Sequence, residues 1–185
     1  MNISEPQRYL GTVDVEALSQ CILSQDVYAW KEQLNRQQSY EVHKDTESIV
    51  MLFCDETWPD GDVHREVGWE RIANQAMPLI NDIIETYYNP GGIVLRAMAA
   101  KLKSGGRINP HTDALQSFHM GHRIHVPITT NEAVRFMIEG KPYKFEVGYA
   151  YEINNQKTHS VMNMSKEDRI SFIFDYVPYD LIKNL

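Results

Sequence analysis

The stretch HRIHVPITTNEAVRFMIEGKPYKFEVGYAYEI, residues 122–153, decides the fold class. It divides into short apolar runs at 123–129, 134–139, 144–147 and 149–153, rich in Val, Ile, Phe and Tyr. Branched and aromatic side chains suit a pleated, half-buried surface, and the Gly, Asn and Pro residues between them mark chain reversals. Glu139-Gly140-Lys141-Pro142 is the plainest reversal, a hairpin turn joining two runs. Similar runs flank the stretch at 93–102, 160–164 and 169–177, so residues 93–178 read as an antiparallel sandwich or barrel.

Upstream the pattern changes. Trp69, Ile72, Ala76, Leu79, Ile80, Ile83 and Tyr87 recur every three or four positions, which predicts an amphipathic helix from about Val67 to Tyr88. Pro78 inside it is expected to kink or restart the helix, and Asn89-Pro90-Gly91-Gly92 ends it. Ser48 to Cys54 is an apolar run of strand length. Val13 to Gln37 has the spacing of a helix pair that breaks near Ser24 to Asp26, where Ser or Asp caps the second helix. The expectation is one mainly β domain with helical support (α+β), residues 1–92 forming a helical region with one or more strands that packs on the β core.

Composition narrows the function classes. Of 185 residues, 43% are hydrophobic and 23% charged, as in a folded globular protein. The net charge of −7 lacks the basic field that nucleic-acid binders use. No apolar run nears the roughly 20 residues of a membrane span, and the first residues carry no apolar signal core. A cytoplasmic protein with a small-molecule or peptide partner is expected. Cys21 and Cys54 form neither a CxxC nor a zinc pattern and read as two reduced, buried thiols.

His111-Thr112-Asp113 is the sharpest local signal. On extended backbone, residues i and i+2 share a face, so an imidazole and a carboxylate converge. Alone such a pair is often only a surface contact. His159, at the turn after a β run, offers a third ligand, and two imidazoles with one carboxylate form the facial triad that leaves positions open on Fe(II). The same three ligands also suit zinc with an activated water, or a non-catalytic metal-binding module. Arg169 opens the strand RISFIFDYV, where a charge needs a partner. That partner is either the carboxylate of a ligand, gripped by the planar guanidinium fork, or Glu167, Asp168 or Asp175. Arg123 and His125 project from one face of their strand as a pair of anion-binding donors.

Together HTD, HRIHVPITTNEAVRFMIEG, GYAYEINNQKTHSVMN and EDRISFIFDYV, spanning about Leu102 to Val177, resemble the aspartyl/asparaginyl β-hydroxylase family of Fe(II)/2-oxoglutarate-dependent oxygenases. The resemblance implies a double-stranded β-helix (jelly roll, cupin-like) and a dioxygenase that hydroxylates an amino acid or an Asp/Asn-type side chain, releasing succinate and CO2. It implies Fe(II) on His111, Asp113 and His159, with 2-oxoglutarate and O2 as co-substrates. It implies Arg169 on the distal carboxylate of 2-oxoglutarate, and Arg123 and His125 near its metal-bound end. The best-known animal members carry glycine where this chain has Asp113, so the chain looks closer to bacterial-type members that keep the full triad.

Other polar residues read as supporting structure. His119 and His122 lie in a loop that has room to overhang the site, but solvated loop histidines are commoner. Arg107, Asn154, Asn155 and the SKEDR tip read as surface or turn residues, and Trp58 as part of the core.

Overall fold

The structure, a computed structural model, describes residues 3–32 and 43–183. Along the chain come β1 (Gln7–Thr12), α1 (Glu16–Leu23), α2 (Val27–Lys31), β2 (Thr46–Cys54), β3 (Val63–Arg65) and α3 (Gly68–Tyr87). They are followed by β4 (Ile93–Leu102), β5 (Arg107–His111), α4 (Gln116–Met120), β6 (His122–Thr129), β7 (Val134–Ile138) and β8 (Lys141–Tyr143). The chain closes with β9 (Tyr149–Ile153), β10 (His159–Asn163), β11 (Arg169–Val177) and α5 (Tyr179–Ile182). The expected helix pair is present as α1 and α2, and its continuation to Gln37 lies outside the described residues from position 33 onward. Asp26 caps α2 by accepting from the Ala29 amide.

The strands form a seven-stranded sheet, ordered β1-β9-β6-β11-β4-β2-β3, and a four-stranded sheet, ordered β5-β10-β7-β8. From β4 onward the chain crosses between them: β4, β6, β9 and β11 lie in the larger sheet, and β5, β7, β8 and β10 in the smaller. That alternation is the double-stranded β-helix, or jelly roll. The two sheets close on a core of Leu102, Phe136, Ile138, Phe145, Tyr151, Ile153 and Val161.

Period-two alternation gives the larger sheet two different faces. On β11, Ile170, Phe172, Phe174 and Tyr176 pack toward the helices, against Leu18, Ile22, Ile72, Ile80 and Ile83. The intervening Arg169, Ser171, Ile173 and Asp175 turn the other way, into the space between the sheets. The apolar run Ser48 to Cys54 is a strand, as expected, and lies within β2, which extends the sheet through β4, while β1 pairs with β9.

Three local expectations need correction. The run 144–147 is not a strand; β8 begins earlier because the Glu139–Gly140 turn, both residues at positive φ, reverses the chain in two residues. Phe145 then leaves the sheet to fill the core, 7% exposed. Pro78 does not interrupt α3. Pro78 and Asn74 are both exposed, so water can serve the carbonyl that proline leaves without a donor. Of the two free thiols only Cys54 is fully buried; Cys21 is half-buried.

Ile80 is completely buried between α3 and the sheet, whereas Tyr28 is 77% exposed. Ile80→Ala is expected to cost about 2–5 kcal/mol in urea unfolding, and Tyr28→Ala to stay within about 0.5 kcal/mol.

Candidate active site

Strand register assembles the site. His159 of β10 stands directly opposite His111 of β5, with a register shift between His159 and Val161. Their ring centroids are 4.3 Å apart. Asp113 follows two residues later, its Oδ1 3.8 Å from His111 Nε2. The candidate ligand atoms of His111, Asp113 and His159 all lie within 4.8 Å of one another.

Backbone contacts set the state of each ligand. His111 Nδ1 lies 2.8 Å from the Asn109 carbonyl, and His159 Nδ1 lies 3.0 Å from the Lys157 carbonyl. A carbonyl only accepts, so both Nδ1 atoms carry the proton and both Nε2 lone pairs are free for a metal. Asp113 is held from both directions. Its amide donates to the Asn155 carbonyl at 3.1 Å, and its own carbonyl accepts from Gln156 Nε2 at 2.9 Å. Arg123 Nη1 donates to its Oδ2.

Behind Asp113 lies a buried charge network. Arg123 clamps Asp175 through Nε and Nη2, both at 2.8 Å. Arg96 approaches the same carboxylate at 3.4 Å and donates to Ser117 Oγ at 2.8 Å. Burial opposes the charge on Asp175, but Arg123 and Arg96 outweigh it and hold the carboxyl below its ordinary range. Phe118 of α4 lies under both guanidinium groups, 4.1 Å from Arg96 and 4.7 Å from Arg123.

Arg169 differs from its two neighbours. It is 4% exposed. Among the described residues no carboxylate pairs with it: Asp168 caps the Ser104 amide, and Asp175 serves Arg123 and Arg96. Burial pulls its pKa down to about 10, which leaves it cationic at neutral pH. It lines a chamber together with His111, His159, Arg123, His125 and Phe136. Within this chamber the ring of His125 stacks edge-on against Phe136 at 5.7 Å, and its Nδ1 has no hydrogen-bond partner among the described residues. A second cavity of about 500 Å³ opens on the Asp113 side, between Phe53, Arg96, Met98, Phe118 and Arg123. His43, edge-on to His111 at 6.2 Å, lines both.

The remaining candidates lie elsewhere. His122 points to the helix side, where it bonds the buried Glu152 at 2.6 Å. His119 and Arg107 are exposed, and Trp58 is buried beside Cys54 and Leu95. Phe118, and not the histidines of the same segment, faces the site. Asp175 was foreseen only as a possible partner of Arg169, although β11 alternation puts both on one face. Arg96, a charge amid the apolar residues that open IVLRAMAAKL, is a signal for the network in the sequence itself.

The aspartyl/asparaginyl beta-hydroxylase family model matches residues 21–178. A viral collagen prolyl hydroxylase from Paramecium bursaria Chlorella virus-1, solved with 2-oxoglutarate, has a similar fold at 10% identity. The match covers 95% of this chain and 97% of that one, with a TM-score of 0.54. A Trichoplax adhaerens prolyl hydroxylase, bound to a peptide of the hypoxia inducible factor oxygen degradation domain, is 14% identical. It covers 98% of this chain and 87% of its own, with a TM-score of 0.59. No curated protein sequence matches significantly. Fold and family together define a 2-oxoglutarate-dependent non-haem iron hydroxylase. The chain belongs to the aspartyl/asparaginyl β-hydroxylase family. Among the described residues, no helix is long and apolar enough to cross a membrane.

Burial lowers the His159 pKa to about 4, with Asp113 opposing and His111 adding to the fall. Burial, followed by Arg169, Arg123 and His159, holds His125 well below its ordinary 6.5. Between about pH 4 and 6.5 the unfolded chain therefore binds more protons than the fold, so stability falls as pH drops through that window. The urea midpoint of the metal-free protein is expected to fall between about pH 7 and pH 5. The fall should be shallower in His159→Gln, and a midpoint that does not move contradicts the assignment.

Proposed function

We propose that His111, Asp113 and His159 hold Fe(II) and that Arg169 receives the distal carboxylate of 2-oxoglutarate, in a single-domain hydroxylase acting on an amino acid or an Asp/Asn-type side chain. The observation that carries this is a buried guanidinium, without an acidic partner among the described residues, in the chamber that His111 and His159 line beside their convergence with Asp113. The donor set fits the metal: two neutral imidazole nitrogens with free lone pairs and one carboxylate oxygen leave further positions open. When bound, Fe(II) and 2-oxoglutarate together activate O2 to hydroxylate a C–H bond, with succinate and CO2 as co-products.

The chain's own residues supply placement. Arg123 occupies Oδ2 of Asp113 and so leaves Oδ1 on the His111 side for the metal. Gln156 and Asn155 fix the Asp113 peptide beside the turn that carries His159, so the third ligand is set by two segments at once. His125, neutral in the fold, offers a hydrogen bond to the metal-bound end of the co-substrate, and Arg123 stands beside it. The cavity beyond Asp113, walled by Phe53, Met98 and Phe118, takes the molecule to be hydroxylated and keeps water from the reacting bond. A hydrolytic zinc site or a non-catalytic metal module would leave Arg169 without a purpose.

Succinate formation with Fe(II) and ascorbate, measured across free amino acids and Asp- or Asn-bearing peptides, checks the proposal. Asp113→Ala is expected to lose most turnover. Arg169→Gln, which removes a charge-assisted contact of about 1.5–3 kcal/mol, should raise the KM for 2-oxoglutarate by about tenfold or more while Fe(II) affinity stays unchanged. Activity supported equally by Zn(II) would refute the oxygenase assignment.

A further inference from the structure

Arg169 stands in a wall between two spaces. It and Phe136 are the two side chains shared by the metal-side chamber and an outer cavity of about 360 Å³. The outer cavity is bordered by Thr130 to Glu132, by Val134 and Tyr143, and by the segment 144–147. It lies apart from the cavity beyond Asp113, with which it shares no lining residue.

The chamber's two walls differ in what holds them. Toward the substrate cavity the shared residues are His43, His111 and Arg123. Of these, His111 is a metal ligand in the proposed function, and Arg123 is fixed by Asp113 and twice by Asp175. A bound substrate would also cover this wall. Toward the outer cavity, Arg169 has no acidic partner among the described residues, and Phe136 rests on Phe145 at 4.5 Å. Phe145 belongs to the connection between β8 and β9, which pairs in neither sheet. That connection is tied by the Glu146 amide to Tyr151 Oη at 3.1 Å and by the Gly148 carbonyl to the Val13 amide at 2.9 Å. Phe145 anchors the segment in the core, against Phe136 and, at 4.7 Å, Tyr151. The exposed residues 144, 146 and 147 around it have few backbone bonds and no sheet pairing and so move at lower cost. At the rim, Lys144 is paired with Glu146 at 2.9 Å and Glu132 at 3.8 Å, so of the two cations lining the cavity Arg169 is the one without an acidic partner among the described residues.

We propose that the outer cavity is the entry and exit route for the dicarboxylate co-substrate: 2-oxoglutarate arrives, and succinate departs, past Phe136 and Arg169. The route rests on Arg169 being the distal-carboxylate site. A dianion entering this way reaches Arg169, its binding group, before it reaches the metal ligands.

Anaerobic stopped-flow mixing of the Fe(II)-loaded protein with 2-oxoglutarate, read by absorbance of the resulting complex, tests the route in the wild type, Val147→Trp and Thr130→Trp. Val147 is 44% exposed at the cavity mouth, so an indole there narrows the opening without entering the core. Raising a barrier between unchanged end states slows both directions equally, so association and dissociation should each fall about tenfold while Kd holds within about twofold. Unchanged rates in both variants, with circular dichroism as in the wild type, would overturn the route and leave the functional proposal standing. A weakened Kd at an unchanged association rate would also overturn it, by making the cavity part of the binding site. Absence of any 2-oxoglutarate complex in the wild type would overturn the functional proposal and the route together.

Discussion

The pairing of β5 with β10 is the constraint on which the site depends. It sets His159 opposite His111, and the shift in register just beyond His159 lets β10 leave regular pairing where the site begins. Slipping one strand by a single residue would turn one imidazole to the opposite face of the sheet. That register is guarded from several directions: Ile138 of β7 pairs with the other edge of His159, and Phe136, Ile138 and Val161 share the inter-sheet core. The convergence of the two imidazoles is thus secured by packing at some distance from them.

A second layer of control is electrostatic. The inner face of the larger sheet carries Arg96, Arg123 and Arg169 within a buried region, against Asp113 and Asp175. Asp175 satisfies two of the cations and in doing so holds Arg123 against Asp113. Leaving a buried charge unpaired costs several kcal/mol, so a third buried arginine without a carboxylate partner among the described residues calls for a ligand. In the proposed function the distal carboxylate of the co-substrate pairs with Arg169, which couples this buried charge to co-substrate binding.

Much of this was legible in the chain. Runs dominated by apolar and aromatic residues gave β4, β9 and β11 to the residue, although Arg96, Glu152 and Asp175 interrupt them. HxD read correctly as a converging pair because its segment is extended, and the hairpin at Glu139–Gly140 followed from turn chemistry. Strands β1 and β3 were not legible, since edge strands with exposed residues lack a clean alternation. Lys144 to Val147 misled for the opposite reason: Phe145 serves the core from a loop, and Val147 is exposed. Arg96, Phe53, His43 and Phe118 come together only through tertiary packing, and no spacing in the sequence joins them. His119 and His122 drew attention by residue type, but α4 and the Glu152 contact turn them away.

A crystal structure of the protein soaked anaerobically with Mn(II) as a stand-in for Fe(II) tests the central claim most directly. One ion is predicted, bound by Nε2 of His111, Nε2 of His159 and a carboxylate oxygen of Asp113. An ion held elsewhere, or a site to which one of those three side chains does not contribute, would contradict the account.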